Sequence, residues 1–452
     1  MAMGTRQDEQ PPLWIATSDL PTAPGHPFYA RLNTVLDTAG FDAFVEAECR
    51  RFYAAVMGRP GLAPGRYFRL LLVGYFEGLG SERGIAWRAA DSLAIRRFLH
   101  LGLEDTTPDH STISRTRRLI DVDTHRAVFT WVQTQLVAHG LLRGQTVAVD
   151  ATTLEANAAM RSIVRRDTGE SYQAYLTQLA EASGITTPTR EALARFDRRR
   201  KKKSSNQDWT HPVDPDAKIT KMKDGRTHLA HKAEHAVDVD SGAVVSVRVD
   251  GADVGDTTTV IDTVVDATEQ LERAGAPHRL EEVIADKGYH SNRALIDLHA
   301  LDVRPYIAEP DRGRRQWRDL PEAQALVYAN RRRLRGARGG RLRRHRAEYV
   351  ERSFAHLYET GAMRRTHLRG HQNILKRLLV HAGAFNLGLI LRQLTGWGTP
   401  RGLRGRSGAL ASLITALIDR LADRWASLPG TEPLSMPAPT YTTNDLAGAL
   451  LA

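Results

Sequence analysis

Three short stretches hold the carboxylates best placed for chemistry. Asp150 closes the apolar run Val147-Ala148-Val149, and Asp286 closes Val283-Ile284-Ala285. Both runs have strand character. Glu351 sits within Glu348-Tyr349-Val350-Glu351-Arg352-Ser353-Phe354, at the edge of a stripe formed by Val350, Phe354 and Leu357 at helical spacing. Two strand-end aspartates and one helix glutamate converge on one point if the strands are neighbours and the helix packs over them. Such a set of hard oxygen ligands suits Mg²⁺ or Mn²⁺. Two such ions can clamp the attacking and leaving oxygens of a phosphodiester. A lone aspartate at a strand end is more often a turn or cap residue, so the flanking strings carry more of the argument than the carboxylates do.

Those strings resemble the DDE transposases of bacterial insertion sequences, in particular the group with an InsH-like N-terminal domain. The resemblance rests on Asp286-Lys287-Gly288-Tyr289 after an apolar strand and on Val350-Glu351-Arg352-Ser353-Phe354 downstream. It extends to Pro108-Asp109-His110-Ser111-Thr112-Ile113-Ser114-Arg115, to Leu368-Arg369-Gly370 and to the run through Ala384-Phe385-Asn386-Leu387. The resemblance implies that Asp150, Asp286 and Glu351 are catalytic and bind two Mg²⁺ (or Mn²⁺) ions. Asp150 would bridge both, with Asp286 and Glu351 each holding one. It further implies cleavage and joining at insertion-sequence ends. The partners would be double-stranded DNA, as terminal inverted repeats and as target, in a homo-oligomer, with the cytoplasmic, nucleoid-associated location of a bacterial protein. One departure stands out. Relatives carry Tyr, Arg and Lys at seven before, four before and seven after the glutamate, where this chain has Arg344, Ala347 and Tyr358. Arg346 is a substitute for the arginine, and Arg364 or Arg365 for the lysine.

Bulk properties agree with a nucleic-acid partner. The 452 residues carry a net charge of +11 with a pI near 9.9, and 42% are hydrophobic, which suits two or three folded domains and excludes global disorder. Cys49 is the only cysteine, so no disulfide forms within the chain and a reducing compartment fits. No signal peptide is evident at the start, and no uninterrupted apolar stretch reaches membrane-spanning length, so no membrane association is expected.

The elements that must position the carboxylates follow from periodicity and punctuation. Residues 1–26, with four prolines, read as an extended segment. Residues 27–143 read as an all-helical domain whose basic helix, capped by Asp109 or Ser111, carries Arg115, Arg117 and Arg118. That pattern fits a plain helical bundle as well as a helix-turn-helix-like reader; the resemblance favours DNA binding. Residues 144–395 read as an RNase H-like catalytic domain, a mixed five-stranded sheet flanked by helices. Asp150 falls on its first strand and Asp286 on its fourth, which are neighbours in that fold. The fold class is thus mixed α+β and α/β with a helical C-terminal part.

Residues 155–226 read as a basic, polar insertion, including the run Arg198–Lys203. Thr257–Ala274 reads as a helix capped by Asp256. Residues 308–346, with Arg331, Arg332, Arg333 and Arg346 among many arginines and with Gly336, Gly339 and Gly340 interrupting, read as a flexible phosphate-binding stretch. Residues 396–452 read as a linker, an amphipathic helix from Leu410 to Trp425 and a Pro/Ala/Thr-rich tail. His228, His231 and His235 read as structural histidines rather than zinc ligands. Two other functions share these features: an RNase H-like nuclease that does not join, and an inactive DNA-binding regulator.

Overall fold

A computed structural model describes residues 26–404 except 55–57, 59–60, 186–187, 201–204, 223, 312 and 314. The expected N-terminal extended segment, Lys201–Lys203 of the basic run and the C-terminal amphipathic helix with its tail lie outside the described residues. Residues through Pro400 form one compact unit.

Seven helices come first: α1 (Pro27–Thr38), α2 (Phe41–Cys49), α3 (Pro64–Glu77), α4 (Glu82–Asp91), α5 (Leu93–Phe98), α6 (His110–Leu119) and α7 (Val122–Ala138). Their starts are written locally. Ser81, Ser92, Asp109 and Asp121 each accept a hydrogen bond from the backbone N–H three residues on, satisfying a donor the first turn leaves open. Pro64, expected only to separate helices, occupies the first turn of α3, where its missing N–H costs nothing. The core of this part includes Leu32, Leu36, Phe41, Phe68, Leu71 and Phe129, all at most 2% exposed.

Strand β1 (Thr146–Glu155) then opens the sheet. The region between it and the next sheet strand is not the plain polar loop expected. It folds into a two-residue β2 (Val164–Arg165), α8 (Tyr172–Ala182), α9 (Arg190–Arg199) and a two-residue β3 (Trp209–Thr210) paired to β2. Ile163, Trp209 and Leu229 make one small core there, and Leu176, Ala180 and Leu193 another. Few apolar residues suffice to order it because they fall on facing helix sides, a pairing no local pattern announces.

The main sheet adds β4 (Lys218–Lys221), β5 (Thr227–Asp238), β6 (Val244–Gly251), β7 (Glu282–Ala285) and β8 (Arg304–Ile307). Its order is β4-β5-β1-β7-β8, with β6 also paired to β5. β1, β5 and β6 run antiparallel, whereas β1, β7 and β8 run parallel. This is a mixed sheet of RNase H-like kind, flanked by helices, but it has six strands rather than the expected five: β4 adds to the β5 edge, so Asp286 follows the fifth sheet strand in chain order, not the fourth. Helix α10 (Asp256–Ala274) packs on β5 and β6, and α11 (Asn292–Ala300) connects β7 to β8. Gly255, not Asp256, holds the N-cap of α10, which frees the Asp256 carboxylate for another contact.

The arginine-rich stretch is ordered, against expectation. It forms α12 (Pro321–Arg335) and α13 (Ala337–Phe354), which continues into a π turn over Ala355–Thr360. Gly339 does not break the helix: it lets α13 cross the end of α12, because a Cβ there would lie 2.5 Å from the Arg333 carbonyl oxygen. Finally α14 (His371–Thr395) packs against α3, α7 and β6. By length and composition it could span a bilayer, although Lys376, Arg377 and Arg392 interrupt its apolar run, and nearly all of that stretch is buried in the protein. A buried core helix meets the same length and composition test.

Candidate active site

Asp150 and Asp286 come together through strand pairing. The parallel register matches Thr146 to Glu282 and Ala148 to Ile284; continued two residues, it brings Asp286 level with Asp150 on adjacent strands. Both are partly buried. Burial pushes the Asp150 carboxyl up; the Arg346 guanidinium beside it and the Ala151 N–H pull it back, and the negative charge of Asp286 pushes it up again. Arg346 Nη1 donates to Asp150 Oδ2 at 2.6 Å, and the Ala151 N–H donates to Oδ1 at 2.8 Å.

Helix α13 is stitched across this face of the sheet. Arg338 pairs with Glu282 of β7, Arg346 with Asp150 of β1, and the Ser353 hydroxyl with His235 of β5 at 3.2 Å. Seven- and eight-residue steps return to one side of a helix, so a single face makes all three contacts. Burial raises the Glu282 carboxyl, but bonds from Arg338 and Thr146 outweigh it and hold the group below its ordinary value.

Glu351 is exposed on α13. Tyr349 lies against Gly242, and His345 meets the Val239 carbonyl at 3.2 Å, both near the start of β1. Glu351 is about 200° round the helix from Tyr349, so it does not share the side of α13 that lies against Gly242. Its carboxylate is not gathered into the aspartate pair. Among the described residues only Asp37, Asp42 and His100 bring three such ligand atoms within 4.8 Å of one another. Arg69 already bonds both of those aspartates, so a cation occupies that cluster. A two-ion arrangement needs only Asp150 as the shared ligand, which does not require Asp286 and Glu351 to meet. Asp150 is not at the end of its strand as expected, since pairing with β5 carries β1 on to Glu155, whereas Asp286 directly follows β7. The donor set still fits a divalent cation: two all-oxygen side chains from adjacent strands, one of them already drawing a guanidinium.

Beneath Asp286 lies a buried network that the sequence reading missed. Gly288 donates its N–H to Asp286 Oδ1 at 2.7 Å, opening a 3₁₀ turn over Lys287–Tyr289. Any Cβ on Gly288 would meet Asp256 at 2.9 Å and Asp286 at 3.0 Å. The Tyr289 hydroxyl donates to Glu234 Oε2 at 2.9 Å, and Thr259 and Thr263 donate to the same carboxylate. Lys232 lies 2.7 Å from Asp256 and 3.4 Å from Glu234. Burial, then the neighbouring carboxylates, hold the Tyr289 hydroxyl protonated as a donor. The available signal was a pair of opposite charges, Lys232 and Glu234, two apart and so on one face of a strand.

The expected DNA-binding arginines divide. Arg115, Arg118, Arg332 and Arg365 are exposed. Arg117 is a correction: it is buried, bonding Glu82 at 2.7 Å and Asn373 at 2.5 Å, because α6 turns that side toward α4 and α14. Arg333 is half-buried and donates to the Pro305 carbonyl, and Arg331 pairs with Glu309 at 2.6 Å. Arg364 donates to Thr152, two residues beyond Asp150, at 3.0 Å and pairs with Glu359 at 2.7 Å. Tyr358, at the position where relatives carry lysine, is fully buried and donates to His235 Nε2 at 2.6 Å. His231 and His235 are structural, on Asp214 and on Ser353 and Tyr358 respectively.

Acid should destabilise the fold early. Burial depresses His125 and His235 to about 3. The unfolded chain takes up protons below about 6.5 while the folded one does not, so stability is complete above that pH and is lost as pH falls toward 3. Each histidine contributes a slope of up to about 1.4 kcal/mol per pH unit in that window. Melting midpoints measured from pH 7 to 5 should fall steadily, and His125→Gln should flatten the dependence if it folds; an unchanged midpoint would contradict the assignment.

Comparison with known families agrees with this geometry. Residues 18–119 match the family described as Transposase domain (DUF772). Residues 143–387, more than half of the chain, match the family described as Transposase DDE domain. No curated protein matches the chain. The first match falls on the helical region and the second spans the mixed sheet with its flanking helices, and the chain belongs to the DDE transposase family.

Proposed function

We propose that this DNA transposase cuts and joins DNA at the ends of its own insertion sequence by metal-dependent phosphodiester transfer. The observation that carries the reading is the level placement of Asp150 and Asp286 on adjacent strands beneath the helix bearing Glu351. Asp150, Asp286 and Glu351 would hold two Mg²⁺ or Mn²⁺ ions. When bound, such ions activate a hydroxyl nucleophile and stabilise the departing oxygen. A cation held by Asp150 would take the place of Arg346, whose guanidinium would then be available to a DNA phosphate. Arg364, anchored on Thr152, supports the same side. Arg115, Arg118, Arg332 and Arg365 offer further phosphate contacts. The enzyme would work in the bacterial cytoplasm as a homo-oligomer that pairs two terminal repeats and engages a target duplex.

The test uses wild-type protein and Glu351→Gln with Mg²⁺, DNA bearing the gene's flanking sequences, and a target plasmid. Cutting at both flanks followed by joining, lost in the variant, is the expected result. Cutting without joining would replace this reading with a nuclease. Binding without cutting at saturating Mg²⁺ or Mn²⁺ would replace it with an inactive regulator.

A further inference from the structure

A cleft of about 380 Å³ lies where the helical region meets the end of the catalytic sheet region. Its walls come from three separate stretches: Ser114 and Arg118 of α6, Asn157 just past β1, and His367 and Arg369 before α14. No carboxylate lines it. Arg117 and Asn373 form its back, already bonded to each other, and the Arg117 charge is answered by Glu82. Lys376 donates from behind to the Arg117 carbonyl. Arg118 and Arg369 are both exposed, and neither pairs with a carboxylate among the described residues. Arg369 donates its Nε to the Asn157 carbonyl at 3.3 Å, which orients the guanidinium and leaves its terminal nitrogens to the cleft. Ser114 accepts from Arg117, so its hydroxyl proton is available.

The loop is held in place before any ligand arrives. Thr366 donates to the Glu155 carbonyl at 2.9 Å, and Gly370 and His371 donate to Asp214 and Asp216 at 3.1 and 3.0 Å. A cleft free of carboxylates, with two guanidinium groups that no carboxylate answers among the described residues, recognises a phosphate oxygen. Its position on the exposed side of α6 lets a polymer backbone cross it.

We infer that this cleft seats one backbone phosphate of the bound duplex, gripped jointly by Arg118 of the helical region and Arg369 of the catalytic region. The inference rests on the transposase reading above and deepens it, since one phosphate would register both regions on the same DNA end. No base is read there, because phosphate contacts position without specifying sequence.

The test measures duplex affinity against salt for full-length wild type, Arg118→Gln, Arg369→Gln and the double variant, with melting midpoints as a folding check. The duplex carries the gene's flanking sequence. Arg273→Gln, exposed and outside the cleft, controls for lost overall charge. Each single variant should bind about tenfold more weakly and lower the slope of log affinity against log salt by about one. Because both side chains share a phosphate, the double variant should lower the slope by about one as well, and Arg369→Lys should restore most of it. One neutral methylphosphonate along the duplex should weaken wild type yet leave the double variant unaffected. Wild-type affinity and slope in the folded variants would overturn the cleft while leaving DNA binding intact. Failure of the wild type to bind duplex DNA would instead sink the underlying reading. A cleft that only takes inorganic phosphate, seen as a raised melting midpoint with unchanged DNA binding in the variants, would also overturn it.

Discussion

Asp150→Asn should cut the rate of Mg²⁺-dependent strand cleavage by about three to four orders of magnitude, the loss expected when several kcal/mol of transition-state charge stabilisation disappears. Asparagine keeps the shape of the side chain and its bond from the Ala151 N–H. It loses the charge that holds Arg346 in this structure and would hold a cation in its place. Duplex affinity should stay within a few-fold of wild type, so binding and cleavage separate cleanly in one assay. Asp286→Asn should behave alike, because its carboxylate stands level with Asp150 on the next strand. Glu351→Gln is the sharper test, since Glu351 is exposed on α13 and its carboxylate is not grouped with the two aspartates. A Glu351→Gln protein that cleaves at the wild-type rate would remove Glu351 from the site and leave the two aspartates to another partner.

The largest effect on stability belongs to Glu234. Glu234→Ala should cost about 3–5 kcal/mol, the range for breaking a buried charged pair by deleting one member. Glu234 is fully buried, and its removal leaves Asp256 as the one carboxylate beside Lys232 among the described residues and takes the acceptor from the hydroxyls of Tyr289, Thr259 and Thr263. Urea unfolding would read the loss directly; a change below about 1 kcal/mol, the net value of one ordinary hydrogen bond, would show the network to be slack. Tyr289→Phe isolates the functional part. It deletes one hydroxyl and should cost only about 1 kcal/mol of stability. It also frees the turn that follows Asp286, so cleavage should fall further than stability does, with a higher Mg²⁺ requirement and unchanged DNA affinity. Equal Mg²⁺ dependence in both proteins would reduce Tyr289 to a packing residue.

The kinds and order of elements were legible because their signals are local. Hydrophobic spacing identified α1 to α7, and Asp109 marked the start of α6 through a bond to a backbone N–H three residues away. The β5–β6 hairpin was written in Asp240-Ser241-Gly242, where Gly242 takes a φ of 76°. The same local rules failed wherever distant partners decide. Residues 308–346 read as flexible because Gly336, Gly339 and Gly340 interrupt the arginines. Glu309, at the start of the stretch, pairs with Arg315 and Arg331, and the more distant Glu282 pairs with Arg338, which ties α12 and α13 to the sheet region. The insertion after β1 looked polar because its small cores borrow Trp209 and Leu229 from its own far end and from β5.

By itself the sequence determined the helical first part, the alternation of strands and helices around Asp150 and Asp286, and the positive charge that suits DNA, since each depends on residue type and near-neighbour spacing. Only the tertiary structure decided that Asp150 and Asp286 stand level, that Arg117 is internal while Arg118 is free, and that Arg346 rather than its neighbours reaches Asp150. Strand register, helix rotation and the choice among adjacent arginines are set by packing between segments one to two hundred residues apart, and no local pattern in the chain encodes which of several equal charges will face a given carboxylate.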